Sequence, residues 1–496
     1  MADNLTLILF LPLAGGLILS LLPEEKANLI RFWANLVLGA NALWLLSLFP
    51  FFNPSGPLQF TQRLPWIPSL GADYFLALDG YSLLLAAMSA SLGFFASLGS
   101  WNAIQKHRKL FYLCLLALQT CVLGVFFAMD ALLFFVFFEA SLLPMYFLIA
   151  IWGGPERQRA AMKFLIYTAA GSMLLLLGLI LLYFEHGRQT GLFTFSIPAL
   201  WVTETTGPTA AWIFWLLFLG FAVKVPIAPL HTWLPDAHTE APTAGSVYLA
   251  SVLLKMGTYG FLRLVLPAAP DFLQRPEILY AMSLLALGSI LYGAIICLRL
   301  GDWKRLVAYS SVSHMGFCML GIFALNPAGL EGSMLQQINH GISTGLLFLL
   351  VGLMYERKKS QSIDAFGGLV KPMPHFALVF LIASVSSMGL PPLNGFIGEF
   401  RILTGAYEMS RTWAIVAALG IVLTVVYLLY CYQRVVLRPT DANLALPDFS
   451  PREWAIVAPL ALATLAIGLY PQPLFTLLAQ PARQIVEKVR PTYFAR

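Results

Sequence analysis

Long apolar stretches recur along the whole chain, and few folds can accommodate them. A helix needs about 20 apolar residues to cross a bilayer core about 30 Å thick. Fourteen stretches are apolar enough to be such spans: 5–22, 29–50, 80–100, 110–128, 131–152, 161–184, 211–230, 241–266, 277–299, 303–325, 333–355, 374–406, 412–437 and 452–470. We therefore predict an all-α polytopic membrane protein with about fourteen transmembrane helices.

The low content of charged residues excludes most soluble folds. Of the 496 residues, 59% are apolar and 11% are charged, and the mean hydropathy is +0.78. A soluble domain carries about 25% charged residues. No segment is long or polar enough for a soluble catalytic domain, and no pattern indicates nucleic-acid binding. The five cysteines are scattered through apolar stretches without a C-x-x-C pair, which is typical of packing rather than of a zinc site or an iron–sulfur cluster.

Basic residues in the loops predict the orientation of the chain. Eighteen Lys and Arg residues follow odd-numbered spans. Loops after even-numbered spans hold only five: Arg63, Arg188, Arg263, Arg275 and Arg411. Because cytoplasmic loops carry the excess of Lys and Arg, this contrast puts both termini on the non-cytoplasmic face. The basic residues of the tail disagree with this orientation, but the loops agree with one another.

Six ionisable side chains are predicted to lie well inside spans. A charge at the bilayer centre costs about 2.5–3.5 kcal/mol on insertion scales, so such residues usually face the protein interior or a wet cavity. The six are Glu139, Lys224, Lys255, His314, His340 and Glu399. Histidine exchanges a proton near physiological pH, and a desolvated lysine releases one readily, so this set favours a proton relay.

Each of these residues also has a purely structural interpretation. Glu139 can be held by a hydrogen bond to a neighbouring helix, Lys224 can extend its ammonium to the surface, and a histidine can be a satisfied core residue. Hydroxyl groups precede His314 and amides precede His340, which suits a water-linked relay better.

Prolines predict a break in two spans. Pro226 and Pro229 follow Lys224, and the stretch 374–406 is too long for one regular span and contains Leu-Pro-Pro-Leu-Asn-Gly at 390–395. Proline removes helical hydrogen bonds, and a break at membrane depth is tolerated where it lines a cavity. We expect broken helices near 224–229 and 389–395.

Equal spacings indicate an internal repeat. The same 175 residues separate Glu139 from His314 and Lys224 from Glu399. Five spans in each copy would invert the second copy in the membrane, as in many transporters. The predicted units are three N-terminal helices with a loop in 1–108, a first five-helix repeat in 109–268, a second in 275–438, and a last helix with a tail in 439–496. The Pro-rich link 51–79 is expected to be an ordered surface loop or a hairpin.

Six motifs carry a resemblance to a known family. They are Phe138-Glu139-Ala-Ser-Leu-Leu-Pro144-Met-Tyr146, Val223-Lys224-Val-Pro226, His231-Thr-Trp-Leu-Pro-Asp236-Ala-His238-Thr-Glu240-Ala-Pro242-Thr, Leu254-Lys255-Met-Gly, Tyr309-Ser-Ser-Val-Ser-His314-Met-Gly316 and Gly395-Phe-Ile-Gly-Glu399-Phe. Together they resemble the antiporter-like membrane subunits of respiratory complex I, specifically the NuoM/NdhD type, over most of the chain.

The resemblance implies fourteen spans, two inverted five-helix repeats and a buried polar axis at mid-membrane, whose positions the six ionisable residues match. Glu399 in place of a lysine favours this type over the largest antiporter-like subunit, as does a tail too short for that subunit's long lateral helix. The chain looks most like cyanobacterial NdhD forms, with the CO2-uptake variant as a finer expectation.

That resemblance also implies the surroundings of the chain. We expect a thylakoid membrane or, failing that, a bacterial plasma membrane. Other membrane subunits, including neighbouring antiporter-like ones, would be its partners, with a CO2-hydrating subunit and ferredoxin as electron donor in the CO2-uptake variant. Quinone or plastoquinone and iron–sulfur clusters are expected in partner subunits, and no redox centre or metal in this chain, so the enzyme is the translocating quinone oxidoreductase as a whole.

The expected mechanism is a charge relay. Glu139 would stabilise protonated Lys224, and when a neighbouring subunit draws Glu139 away, the proton would move along Lys255, His314 and His340 to Glu399 and leave on the opposite face. Three alternatives remain open at this point: a cation/proton antiporter subunit of the Mrp type, a haem-bearing subunit with the two histidines as axial ligands, and a structural membrane spacer.

Overall fold

The computed structural model describes residues 4–439 and 446–494. Its helices are α1 (Leu5–Leu21), α2 (Ala27–Leu46), α3 (Gly80–Gly99), α4 (Arg108–Phe127), α5 (Ala131–Ala140), α6 (Leu142–Trp152), α7 (Arg157–Thr190), α8 (Ile197–Leu200), α9 (Gly207–Lys224), α10 (Trp233–Glu240), α11 (Thr243–Tyr248), α12 (Leu254–Gly260), α13 (Leu266–Ala268), α14 (Pro270–Leu273), α15 (Pro276–Cys297), α16 (Trp303–Phe323), α17 (Pro327–Lys358), α18 (Pro374–Ser387), α19 (Asn394–Met409), α20 (Arg411–Tyr432), α21 (Pro451–Leu469) and α22 (Gln472–Val489). Strands β1 (Gln59–Ile67) and β2 (Ala72–Leu78) form one antiparallel hairpin. Wider π-helical turns at Leu249–Leu253, Phe261–Val265 and Gln433–Leu437 extend three of the helices.

Membrane-spanning helices dominate the described part of the chain. Twelve helical segments there are long and apolar enough to cross a bilayer. Two shorter apolar helices, α1 and α18, coincide with the first predicted span and with the first half of the twelfth. A helical membrane protein is therefore confirmed, whereas the count of fourteen spans and the inverted repeat stay predictions. The Pro-rich link contains the β1–β2 hairpin, which is one of the two forms expected for it.

The two ends of the chain lie on the same aqueous face as the hairpin, which we call the hairpin face. At the start of α1, the Thr6 amide donates to the Gln62 side chain of β1 (3.0 Å). At the other end, α22 packs against the first residue of α3, where a Cβ on Gly80 would lie 2.0 Å from the Leu477 carbonyl oxygen. An even number of spans requires both ends of the chain to lie on the same face. We call the opposite side, with most of the Lys and Arg loops, the basic face.

Both predicted helix breaks are present. After α9 ends at Lys224, the chain passes through Pro226 and Pro229 before α10 begins at Trp233. The indole of Trp233 donates to the Val223 carbonyl (2.9 Å), which replaces a helical hydrogen bond lost at the break. Helices α18 and α19 are separated by residues 388–393.

Three segments form the interior of the bundle: α16, α17 and the helical stretch 243–268 are buried along almost their whole length. Helices such as α7, α20 and α21 expose much of their apolar surface to the surroundings. Three of the six ionisable candidates, Lys255, His314 and His340, lie on these interior segments, so their polar groups are shielded from lipid.

Helix α22 was not predicted from the sequence. Its apolar residues repeat at helical spacing (Leu477, Leu478, Ala482, Ile485 and Val489) and pack on the bundle. Eighteen residues give a length of about 27 Å. The Gln274 amide donates to the Val489 carbonyl (2.6 Å), which ties the end of α22 to the loop after α13.

Candidate functional site

Five of the six ionisable candidates are almost completely buried, and Glu139 is half-buried at the flank of the bundle. The five are Lys224, Lys255, His314, His340 and Glu399, none more than 2% exposed. Four of them form a row, in which Lys255 bonds to His340, His314 contacts Glu399, and the two histidine rings lie side by side. Glu139 and Lys224 form a separate group at one end.

Lys255 lies at the start of the row, next to a π-helical turn. That turn, Leu249–Leu253, frees the Ala250 carbonyl, which accepts a hydrogen bond from Lys255 Nζ (2.6 Å). The Lys255 ammonium also donates to Nδ1 of His340 on α17 (2.6 Å). Because an ammonium has no acceptor, this contact leaves the His340 ring with Nδ1 as acceptor and Nε2 as the protonated nitrogen.

The two histidines continue the row to Glu399. The rings of His340 and His314 lie 5.4 Å apart between centroids, close enough for one water molecule or a small ring movement to link them. His314 Nδ1 contacts Glu399 Oε1 at 3.0 Å. The Nε2 atoms of both histidines have no protein partner in the described part of the chain. The haem alternative stays a prediction, which the presence or absence of a Soret band in the absorption spectrum tests.

The second helix break positions Glu399. Gly389 has φ +66°, a conformation that a side chain would strain, and a Cβ there would lie 2.3 Å from Glu399 Oε2. The Gln336 amide donates to Glu399 Oε1 (3.0 Å). Asn339 on α17 donates to the Asn394 carbonyl at the start of α19 (2.7 Å). The break therefore brings a carboxylate and its hydrogen-bond donors together inside the bundle.

Lys224 has an unusual environment for a buried cation. Its Nζ has no hydrogen-bond partner among the described residues and lies over the rings of Phe138 (5.0 Å) and Phe164 (5.7 Å). Cation–π contacts of this kind stabilise an ammonium by about 0.5–2 kcal/mol, less than a full set of hydrogen bonds. The charge of Lys224 is therefore held loosely.

Glu139 acts on Lys224 through space rather than by direct contact. The two side chains form no ion pair within 4.0 Å in the described structure, yet they are electrostatically coupled. Glu139 lies on α5, whose aromatic residues surround it, and its Oε1 atom has no hydrogen-bond partner among the described residues. A movement of about one side-chain length would make or break the ion pair.

Gly257 lets α12 pack directly on the end of α9, beside Lys224. A Cβ on Gly257 of α12 would lie 3.3 Å from Lys224 Cβ and 2.7 Å from Val225 Cγ2, so α12 packs directly on the end of α9. The described residues show no direct contact between the two ammonium groups. A water molecule would have to join these two parts of the axis.

Several polar residues of the interior were not singled out from the sequence. His238 is fully buried, stacked on Phe348 (5.0 Å between centroids), with neither ring nitrogen bonded among the described residues. Gln336, Asn339 and Asn394 support Glu399, as described above. Their positions in the sequence could have indicated them. His238 follows the first break, Gln336 and Asn339 precede His340 within one turn of α17, and Asn394 lies at the second break.

The described residues contain no group of three or more His, Cys, Asp or Glu side chains arranged to hold a metal ion. What the site does contain is a row of ionisable groups buried inside the bundle, two pairs of which lie at hydrogen-bond distance. Such a row can pass protons along its length, because each group both receives and releases one.

Comparison with known proteins agrees with this geometry. A family model described as "NADH:quinone oxidoreductase/Mrp antiporter, TM" matches residues 128–424. NADH-quinone oxidoreductase subunit M of Rhodobacter capsulatus is 38% identical over 98% of this chain and 97% of its own length. A chain of respiratory complex I from Thermus thermophilus superposes with a TM-score of 0.89 at 32% identity, covering 99% of this chain and 100% of that one. A chain of the Mrp complex from Dietzia, 23% identical with a TM-score of 0.83, covers 96% of this chain and 52% of its own length and shows a shared fold.

The chain belongs to the family of transmembrane subunits shared by NADH:quinone oxidoreductases and Mrp antiporters. Within that family it is a proton-translocating, antiporter-like membrane subunit of complex I, of the subunit M type.

Proposed function

We propose that protons move through this chain along the row Lys224, Lys255, His340, His314 and Glu399. The order differs from the order in sequence, because His340 lies between Lys255 and His314. The observations that support this proposal most directly are the Lys255–His340 hydrogen bond and the His314–Glu399 contact, with the two histidine rings adjacent inside the bundle. Water molecules would complete the steps for which no direct contact exists.

Glu139 is proposed to set the direction of transfer. When its carboxylate is near Lys224, the ammonium is stabilised, and when the carboxylate moves away, the proton of Lys224 is released toward Lys255. Half-burial of Glu139 at the flank supports this role, since a neighbouring subunit could contact it there. Proton release to the hairpin face would then follow from Glu399, because α19 runs from the second break toward that face.

The partners are proposed to be other membrane subunits of complex I, including neighbouring antiporter-like subunits. The similar chain of Rhodobacter capsulatus is a subunit of an NADH-quinone oxidoreductase. We propose that quinone reduction in such partners drives the movement of Glu139, and that quinone and iron–sulfur clusters reside there.

Two finer assignments call for a direct test. The cyanobacterial NdhD form, with plastoquinone, a thylakoid membrane and CO2 uptake, stays a prediction, and the Mrp antiporter is the alternative that shares the fold. Purification of the intact complex in mild detergent, with its subunits identified by mass spectrometry, distinguishes them. Iron–sulfur and quinone-reductase subunits would support complex I, an added CO2-hydrating subunit would support the CO2-uptake form, and only small membrane subunits would support the antiporter.

The role of Glu139 is tested by Glu139→Gln in the assembled complex. The amide keeps the shape of the side chain but removes the charge, so we expect quinone-coupled proton translocation to fall to background while the complex still assembles. Glu185→Gln is the matched control, because Glu185 is paired with Arg188 at the hairpin-face end of α7 (2.6 Å), away from the axis. Normal translocation by assembled Glu139→Gln complex would refute the role.

A further inference from the structure

A second line of polar groups begins at the Lys255 backbone carbonyl, beside the axis, and extends through Gln337 and Tyr81 toward the hairpin face. The Thr258 hydroxyl, one turn beyond Lys255, bonds to the Lys255 carbonyl (3.2 Å) and donates to the Gln337 amide oxygen. That oxygen also accepts from the Tyr81 hydroxyl (2.5 Å). The ring of Tyr81 packs on the ring of Tyr259, 5.7 Å between centroids. This line joins the 243–268 segment to α17 and α3, whereas the axis continues to Glu399 through α16 and α19.

A buried ion pair closes the end of this line. The Arg263 guanidinium donates to Asp79 Oδ2 and lies over the Tyr259 ring (5.1 Å to the centroid). Arg263 and Asp79 are 4% and 5% exposed. The loop assignment of Arg263 from the sequence is therefore wrong: it lies in the π-helical turn Phe261–Val265 and faces the interior.

Beyond the pair lies a cavity of about 400 Å³ at the hairpin face. Arg263 is part of its wall, together with Met129, Trp201 and, from α22, Gln484 and Glu487. Because α22 and α8 surround this cavity at the aqueous face, water can reach the outer side of the guanidinium. The ion pair is thus the boundary between the polar line and the aqueous face.

We propose that Arg263, held by Asp79, is an electrostatic barrier that prevents protons on Lys255 from escaping along this second line, so that they leave only past Glu399. The proposal rests on the proposed relay, since a barrier is needed only where Lys255 carries protons.

The chemistry of the two side chains supports a barrier rather than a relay. A guanidinium has five donors and no acceptor, and it keeps its proton in proteins, so it cannot accept a proton and pass it on. Its positive charge also repels a proton that approaches through the line, as an arginine does in pores that exclude protons. Asp79 holds the guanidinium in place through Oδ2, while its Oδ1 caps α3 by accepting from the Ser82 amide (2.8 Å).

Packing alone does not account for the pair. Burial of two charges costs several kcal/mol per ion in desolvation, and an apolar contact of the same size would join α3 to the 243–268 segment at least as well. The position of the charges, at the one boundary between the polar line and the cavity, is what a barrier requires.

The test measures passive leak as well as coupled pumping, in proteoliposomes of the intact complex. An imposed pH gradient without electron donor should decay at least about tenfold faster in Arg263→Gln than in wild type, because the repelling positive charge is gone. Arg263→Lys should stay tight, because it keeps the charge. Decay at the wild-type rate in assembled Arg263→Gln complex would overturn the proposal.

The Asp79→Asn variant distinguishes a role of the ion pair as a charge barrier from a purely structural role. It breaks the ion pair but leaves the guanidinium charge, so the barrier predicts a slow decay like that of wild type. A leak as large as that of Arg263→Gln would mean that packing, not charge, seals the bundle, and would refute the proposal. Gln337→Leu combined with Arg263→Gln should restore tightness by interrupting the line.

If Arg263→Gln yields too little complex, Arg263→Cys offers a second route through the cavity. A cationic thiol reagent should then slow the leak and a neutral methylating reagent should not, with treated wild type as the control for the native cysteines. Equal effects of both reagents would contradict a charge barrier. Failure of the relay itself has a different signature, namely normal pumping when Lys255 is replaced by Met.

Discussion

Replacement of Gly389 by alanine should disable the Glu399 end of the axis without preventing assembly. The added Cβ would lie 2.3 Å from Glu399 Oε2, whereas ordinary van der Waals contact begins at 3.4 Å. The carboxylate must therefore shift by about 1 Å, which removes Oε1 from its 3.0 Å contacts with His314 and Gln336.

Two costs can be estimated for this substitution. The backbone conformation at φ +66° costs a residue with a side chain about 1–2 kcal/mol. Hydrogen bonds to a charged group are worth about 1.5–3 kcal/mol, so loss of one of them would slow proton transfer by a factor of about 10 to 100. The first cost lowers stability, and only the second affects transfer.

Substitutions of two further glycines are controls that distinguish the backbone cost from the loss of the hydrogen bond. Gly191 has φ +75° and Gly288 lies within a helix, and a Cβ on either would meet no atom within 4 Å. Gly191→Ala should lower the thermal stability of the complex without affecting proton translocation per electron, and Gly288→Ala should affect neither. Proteoliposomes that report quinone reduction and proton uptake together give the measurement. Translocation by Gly389→Ala equal to that of Gly191→Ala would refute the role assigned to the second break.

Two smaller substitutions have equally specific outcomes. Phe138→Leu removes the nearer of the two rings over Lys224 and should reduce proton translocation about tenfold or less, a loss of about 1 kcal/mol. The control Phe134→Leu removes a ring stacked on Phe138 (5.8 Å) and should lower stability but leave translocation unchanged. Equal effects of the two substitutions on translocation would contradict the cation–π account. At the basic face, the Arg434 guanidinium holds the pKa of Asp364 below its usual value, so this pair contributes stability above the usual carboxyl pKa of about 4 and loses it as the pH falls through the lowered value. Thermal unfolding of Asp364→Asn and wild type should accordingly differ slightly at neutral pH and converge in acid, and a difference that grows in acid would refute the assignment.

Hydropathy was sufficient to predict the spans because a bilayer selects for length and apolarity, which are local properties. The prolines likewise predicted both breaks, since loss of a backbone donor is a local effect. Contacts between helices could not be predicted in this way, because they depend on residues far apart in the sequence. His340 lies between Lys255 and His314 because α17 passes between the 243–268 segment and α16, and nothing in the spacing of these residues specifies that arrangement.

Arg263 and α22 show two ways in which local reasoning fails. Arg263 is near the end of a span, where arginine is usually solvated, and only the distant Asp79 on α3 explains its burial. Helix α22 has its apolar residues at helical spacing, but two prolines at or near its start and Pro481 within it weaken that signal. The packing of α22 on α3 and α17 overrides this low propensity.

The buried charges of the interior constrain how the chain can be made. The segment 243–268 contains both Lys255 and Arg263, and each costs about 2.5–3.5 kcal/mol when a helix enters lipid alone. Asp79, the ion-pair partner of Arg263, lies at the start of α3, which is synthesised earlier. We therefore expect the segment to stay beside the translocation machinery until α3 and α4 are in the membrane, so that it enters a protein surface instead of lipid. The groups that carry protons in the finished complex would thus impose an order on its biogenesis.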